Sequence, residues 1–122
     1  MSTIQAANIS DGTDTVGTTY VLNGTAKTLI NFNAVTVTIT SSTNVSSLDD
    51  GGTGVYGINF NNDFSSTGWS ASSMSERAGS REDQTQSLTS ITTGSTTTYW
   101  GWPTDVRGDP ATCCVQFWGD LA

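Results

Sequence analysis

Residues 35–40 read V-T-V-T-I-T. Strict alternation of an apolar residue with threonine sends the two kinds of side chain to opposite faces of an extended backbone. β-Branched residues on both faces favour that backbone over a helix. The run predicts a half-buried strand, and it sets the terms for the rest of the chain, which is predicted to be all-β. Shorter β-like runs lie upstream at residues 27–32 (KTLINF) and 19–22 (TYVL), with the turn dipeptide Asn23-Gly24 between them. Residues 3–9 alternate weakly and read as an edge strand or an extended arm, and residues 10–18 read as a loop.

Residues 44–60 predict a hairpin. Its arms are residues 44–48 and 55–60, and the three glycines of D-D-G-G-T-G supply the reversal. On the second arm Tyr56, Ile58 and Phe60 share one face. Asn61-Asn62-Asp63 begins the next turn, and Trp69 opens another short strand. Residues 72–87 (SSMSERAGSREDQTQS) have no apolar period and are dense in charge, so they read as a long charged loop, which in a compact domain signals function or disorder. β-Character returns at residues 87–92, 96–102 and 113–118. Strands at this spacing with turns between them predict one antiparallel β-sandwich or jelly-roll-like domain over residues 1–122.

The core of such a domain is thin. Leu, Ile, Val and Phe together number 23 of 122 residues, whereas Thr and Ser number 22 and 16. A small core under long polar strands predicts stability completed by oligomerisation.

Charge excludes several function classes. Asp and Glu number 11 against 4 Lys and Arg, the formal net charge is −7, and there is no histidine. Ser-His-Asp and Cys-His nucleophile systems, imidazole bases and His-ligated metals are therefore ruled out. Four cations neutralise few phosphates, so nucleic acid is not an expected partner, and neither is an anionic membrane surface. No apolar run is long enough to span a bilayer. The N-terminus lacks the basic and apolar regions of a secretory leader, so ordinary secretion is not expected.

Cys113 and Cys114 are adjacent. Neighbouring Cα atoms sit about 3.8 Å apart, under the usual disulfide span of about 4.4–6.8 Å. On a strand the two point to opposite faces and are expected to be reduced packing residues rather than a redox pair. Asp11-Gly12-Thr13-Asp14 and Asp49-Asp50 offer oxygen ligands of the kind Ca²⁺ takes, but without EF-hand spacing, and they read as solvated turns. No metal and no cofactor is expected. No pair among the carboxylates stands out as a glycosidase dyad. Tyr99, Trp100 and Trp102, in Y-W-G-W-P, either fill a core or interface or stack on sugar rings, and burial is the expectation. The sequons at Asn8, Asn23 and Asn44 match the number that chance gives so hydroxyl-rich a chain.

The hairpin segment N-V-S-S-L-D-D-G-G-T-G-V-Y-G-I-N-F resembles a segment recurrent in virion proteins of tailed bacteriophages, particularly marine ones. The preceding A-K-T-L-I-N-F-N is similar to the run found before it in that family, and the likeness covers residues 26–69 best. Looser likeness extends to M-S-T-I at one end and F-W-G-D at the other. The resemblance implies a non-enzymatic structural protein, often trimeric, occurring as fibre-associated domains or stand-alone surface proteins, with no catalytic residues to carry over. Size favours a capsid decoration (cement) protein on the outer head surface, assembled in the host cytoplasm. Its expected partners are the major capsid protein and its own copies in a homotrimer. The arm of residues 2–14, with Ser2, Thr3 and Ile4, and the loop of residues 72–87, with Arg77, Arg81 and Glu82, are the expected capsid or intersubunit contacts. The alternative is a tail- or head-fibre component, a receptor-binding tip on which Tyr99, Trp100 and Trp102 line a host-glycan site. A polysaccharide depolymerase is a distant third.

Overall fold

The computed structural model describes residues 2–76, 85–101 and 107–122. In chain order the elements are β1 (Asn8–Ser10), β2 (Thr15–Gly17), α1 (Thr18–Gly24), β3 (Thr28–Asn33), β4 (Thr38–Thr43) and β5 (Val45–Asp50). They continue with β6 (Val55–Phe60), β7 (Ser70–Ser75), β8 (Thr85–Thr89), β9 (Ser95–Gly101) and β10 (Cys113–Trp118). Every strand pairing is antiparallel. Sheet one runs β4-β3-β10-β7 and sheet two β5-β6-β9-β8, while β1 and β2 form a small ribbon of their own.

The two four-stranded sheets enclose one core. Ile30 and Phe32 from β3 and Cys113, Val115 and Phe117 from β10 meet Tyr56, Ile58 and Phe60 from β6 and Trp100 from β9. Aromatic rings make the joint between sheets: Phe32 lies 5.3 Å from Tyr56 and Phe60 lies 5.2 Å from Phe117, centroid to centroid. These tilted, edge-on contacts add to what area burial alone contributes. Three threonines, Thr28, Thr96 and Thr98, are buried with them. Each finds a partner: Thr28 Oγ1 accepts from Asn44 Nδ2, and Thr96 and Thr98 donate to the carbonyls of Thr89 and Tyr56. A hydroxyl-rich chain can thus fill a core without leaving buried polar atoms unpaired.

The 44–60 hairpin forms as expected, with Tyr56, Ile58 and Phe60 inward. Asn44 is the corner that carries the chain from sheet one to sheet two. Its φ is 58°, a left-handed conformation asparagine tolerates better than most residues. Its side chain holds the corner, accepting from the Asn62 backbone N–H at 2.7 Å and donating to Thr28 Oγ1 at 2.9 Å. Ser46 is the extra residue of a β-bulge opposite Phe60, whose carbonyl its hydroxyl reaches.

Four expectations need correction. The V-T-V-T-I-T run is a strand only from Thr38 onward. Residues 34–37 are a turn, because Asn33 Oδ1 accepts the Thr36 N–H at 3.0 Å and Ala34 N–H is taken by the Pro110 carbonyl, leaving Val35 64% exposed. The 19–22 run is not a strand but part of α1. Among the described residues no strand pairs with it, and a helix satisfies its own backbone groups where an unpaired strand cannot. The 10–18 loop contains β2, paired to β1. Of the expected 72–87 loop, residues 72–75 belong to β7 and residues 85–87 to β8, while residues 77–84 lie outside the described residues.

At that side of the sandwich the edge strands β7 and β8 meet through side chains. Ser73 Oγ donates to Gln86 Oε1, and Gln86 Nε2 donates to Ser75 Oγ at 3.4 Å. Serine stands on β7 where an apolar residue would have given the strand a period.

Candidate functional site

Residues 2–24 stand apart from the core. Ser2, Thr3 and Ile4 are exposed, and Ile4 is 94% so. The β1–β2 ribbon turns on Asp11, whose Oδ1 accepts the N–H groups of Thr13 and Asp14 at 2.9 and 2.8 Å. Those bonds hold the Asp11 carboxyl below the ordinary carboxylate value. Thr18 then ties the ribbon to the arm, its N–H and hydroxyl donating to the Ala7 carbonyl. Helix α1 follows with no side-chain cap and no buried residue. Tyr20 and Leu22 are 78% and 62% exposed, and Ile9 and Val16 of the ribbon are also exposed. The Lys27 ammonium donates to the carbonyls of Leu22 and Thr25, fastening the end of the helix to the start of β3. A cleft of about 190 Å³ separates Asn23 from Trp69, Gly119 and Asp120 at the end of the sandwich. The unit thus carries several exposed apolar side chains and buries none in α1.

Arg77, Arg81, Glu82 and Trp102 lie outside the described residues. Of the other two aromatics singled out, Trp100 is in the core. It is 1% exposed, and its indole N–H donates to Thr98 Oγ1 at 3.0 Å. Tyr99, its neighbour on β9, points the other way, half-buried on the outer face of sheet two with the Arg107 guanidinium 4.7 Å over its ring. Strand alternation thus divides the pair, and of the two only Tyr99 faces outward.

Of the acidic pairs, Asp11 and Asp14 sit at the ribbon turn, whereas Asp49 and Asp50 end strand β5 and do not lie in the expected turn. Asp50 Oδ1 accepts the Gly52 N–H, and Asp49 Oδ2 accepts from Asn59 Nδ2, each at 2.8 Å. Among the described residues no group of three or more Cys, Asp and Glu is placed to hold a metal. Cys113 is buried and Cys114 half-buried, on opposite faces of β10, and both are free thiols. Burial pushes the Cys113 thiol up to about 12.

A cluster absent from the sequence expectations gathers around Asp109. Its Oδ1 accepts the Gly54 N–H and the Tyr56 hydroxyl, each at 2.6 Å, and that hydroxyl lies 2.9 Å from the Ala34 carbonyl oxygen. Burial, then the Asp109 hydrogen bond and charge, raise the Tyr56 phenol well above its ordinary value. Asp109 lies in an irregular segment before β10, and nothing local in the sequence announces its partners.

Among the described residues, the N-terminal unit and the outer sheet faces are the surfaces that the core does not take up. No family model, curated protein or solved structure matches the chain.

Proposed function

We propose that this protein is a non-enzymatic structural component of a tailed-phage virion, a decoration protein that binds the outer head surface as a homotrimer and stabilises the shell. The observation that supports it best is the contrast between a sandwich whose core is filled and residues 2–24, which display Ile4, Ile9, Tyr20 and Leu22 to solvent. In this reading the N-terminal unit docks on the major capsid protein or on a neighbouring copy, and the acidic chain keeps clear of packaged DNA. Two free thiols agree with assembly in a reducing host cytoplasm. The likeness of the 44–60 hairpin to tailed-phage virion proteins supplies the virion itself.

The test is copy number per particle, measured by quantitative mass spectrometry of purified virions against the major capsid protein. A near-stoichiometric ratio is expected. A few copies per particle would overturn decoration in favour of a tail- or head-fibre component. There Tyr99, beside Arg107, is an outward aromatic available to a host glycan. Arg77→Glu with Arg81→Glu is expected to weaken capsid occupancy, and unchanged occupancy would remove those residues and their neighbour Glu82 from the contact.

A further inference from the structure

The four strands of sheet one hold no Asp, Glu, Lys or Arg. In a chain of formal net charge −7, that makes a neutral wall. Its register places Met74, Cys114 and Asn31 in one outward row, with Gln116 and Leu29 side by side in the next. Met74 is 75% exposed and Leu29 37%. Two shallow depressions of about 420 and 260 Å³ adjoin on this wall and share Cys114 and Gln116 in their linings. The carboxylate at the rim, Glu76, accepts from Thr112 Oγ1 at 2.9 Å. Sheet two differs, with Asp49 and Asp50 on β5 and Arg107 over Tyr99.

We infer that the outer face of sheet one is a self-association surface, occupied by a second copy of this chain. Charge selects the occupant. A basic partner gains nothing from a neutral wall, whereas two acidic copies can meet there and leave their carboxylates in water, avoiding the cost of burying like charges. Hydrogen bonding selects it too. The amides of Asn31 and Gln116 both donate and accept, as do the serine and threonine hydroxyls around them. Such a patch can pair with itself, which an isologous contact requires. Met74 and Leu29 supply apolar contact, and methionine adapts its shape to the facing surface. The inference goes beyond the proposed function: pairing of like faces is a two-fold contact, separate from the contacts that would close a trimer and independent of the virion reading.

The test is the molar mass of the full chain in solution by light scattering over a wide concentration range. The native chain is expected at two chains or more. Met74→Glu and, separately, Gln116→Glu are expected to weaken association by about a hundredfold or more, since each contact then buries like charges. Both positions are exposed, so the circular dichroism spectrum and melting temperature of the separated chains should be unchanged. Ile91→Glu, at an exposed position between β8 and β9 of sheet two, should leave the mass as it was. Alkylation of Cys114 should be slower in the associated form than in Met74→Glu. A single-chain mass for the native protein at every concentration overturns the inference, as does an oligomer that both variants retain. A native oligomer of the expected mass that is absent from purified virions overturns the virion reading alone.

Discussion

Tyr56 and Asp109 stand 53 positions apart in the chain, and the hydroxyl of one donates to the carboxylate of the other at 2.6 Å. The Gly54 N–H reaches the same oxygen. One charged acceptor therefore fastens the segment entering β10 to the start of β6, deep enough to touch the core. Bonds of this kind to an ionised acceptor are short and stronger than neutral ones. Tyr56→Phe should lower the unfolding free energy by about 1.5–3 kcal/mol. Asp109→Ala should cost more, because it strands the Gly54 N–H and leaves the Tyr56 hydroxyl only the Ala34 carbonyl. Urea unfolding of the two variants checks the order.

Alkali should unfold the protein through the same hydroxyl. The folded state holds the Tyr56 proton more tightly than the unfolded chain, whose phenol titrates near 10.0. The resulting stability is fully present below pH 10 and is lost as pH rises beyond it toward the folded value. Cys113 acts in the same direction, from 9.0 upward toward about 12. Stability should therefore fall steadily above pH 9, and Tyr56→Phe should make the decline shallower without abolishing it. Denaturant midpoints across that range provide the measurement.

Gly52 and Gly54 both have positive φ, at 99° and 68°, yet replacing them should have unequal effects. A Cβ on Gly52 meets nothing within 4 Å, so Gly52→Ala carries only the conformational cost, about 1 kcal/mol. A Cβ on Gly54 would lie 2.3 Å from the Trp100 carbonyl oxygen and 2.8 Å from Arg107 Cβ. Backbone must move there, where Trp100 N–H also donates to the Gly54 carbonyl. Gly54→Ala is expected to cost about 3 kcal/mol or more, read as a lower thermal midpoint.

Thiol labelling should separate the two cysteines. Cys113 is wholly buried on β10 and its thiol stays protonated, so N-ethylmaleimide should not reach it in the native protein. Intact mass is expected to show at most one adduct before unfolding and two in denaturant. Two adducts on the native chain would contradict the packing around Phe32 and Val115.

Removing residues 2–24 should barely disturb the sandwich. Helix α1 buries nothing and the ribbon bonds chiefly to itself. A shift under about 4 °C in the calorimetric midpoint is expected.

The sandwich strands were legible where one face had to be apolar. Tyr56, Ile58 and Phe60, or Cys113, Val115 and Phe117, announce their sheet by period alone. Period failed in two opposite ways. At residues 35–37 the alternation was real but Asn33 claimed the backbone for a turn, and side-chain capping outranked β-propensity. On β7 the strand was real but its inward positions are Ala71, Ser73 and Ser75, so no apolar period existed to read. The split of Tyr99 from Trp100 follows from alternation once the strand is placed. The Asp109 cluster does not, because nothing local in the sequence ties this aspartate to a tyrosine so far away. Sheet one's neutral outer face became visible only when the strand order had set β7 beside β10.

Asn44 passes the chain from one sheet to the other in a single residue. Strands β4 and β5 are therefore one continuous rod bent at a point, with no slack between its halves, and Asn44's bonds to Thr28 and Asn62 stiffen the bend. A pull on the outer edge of sheet one arrives at sheet two undamped. Whatever grips β4 has a lever on the whole sandwich.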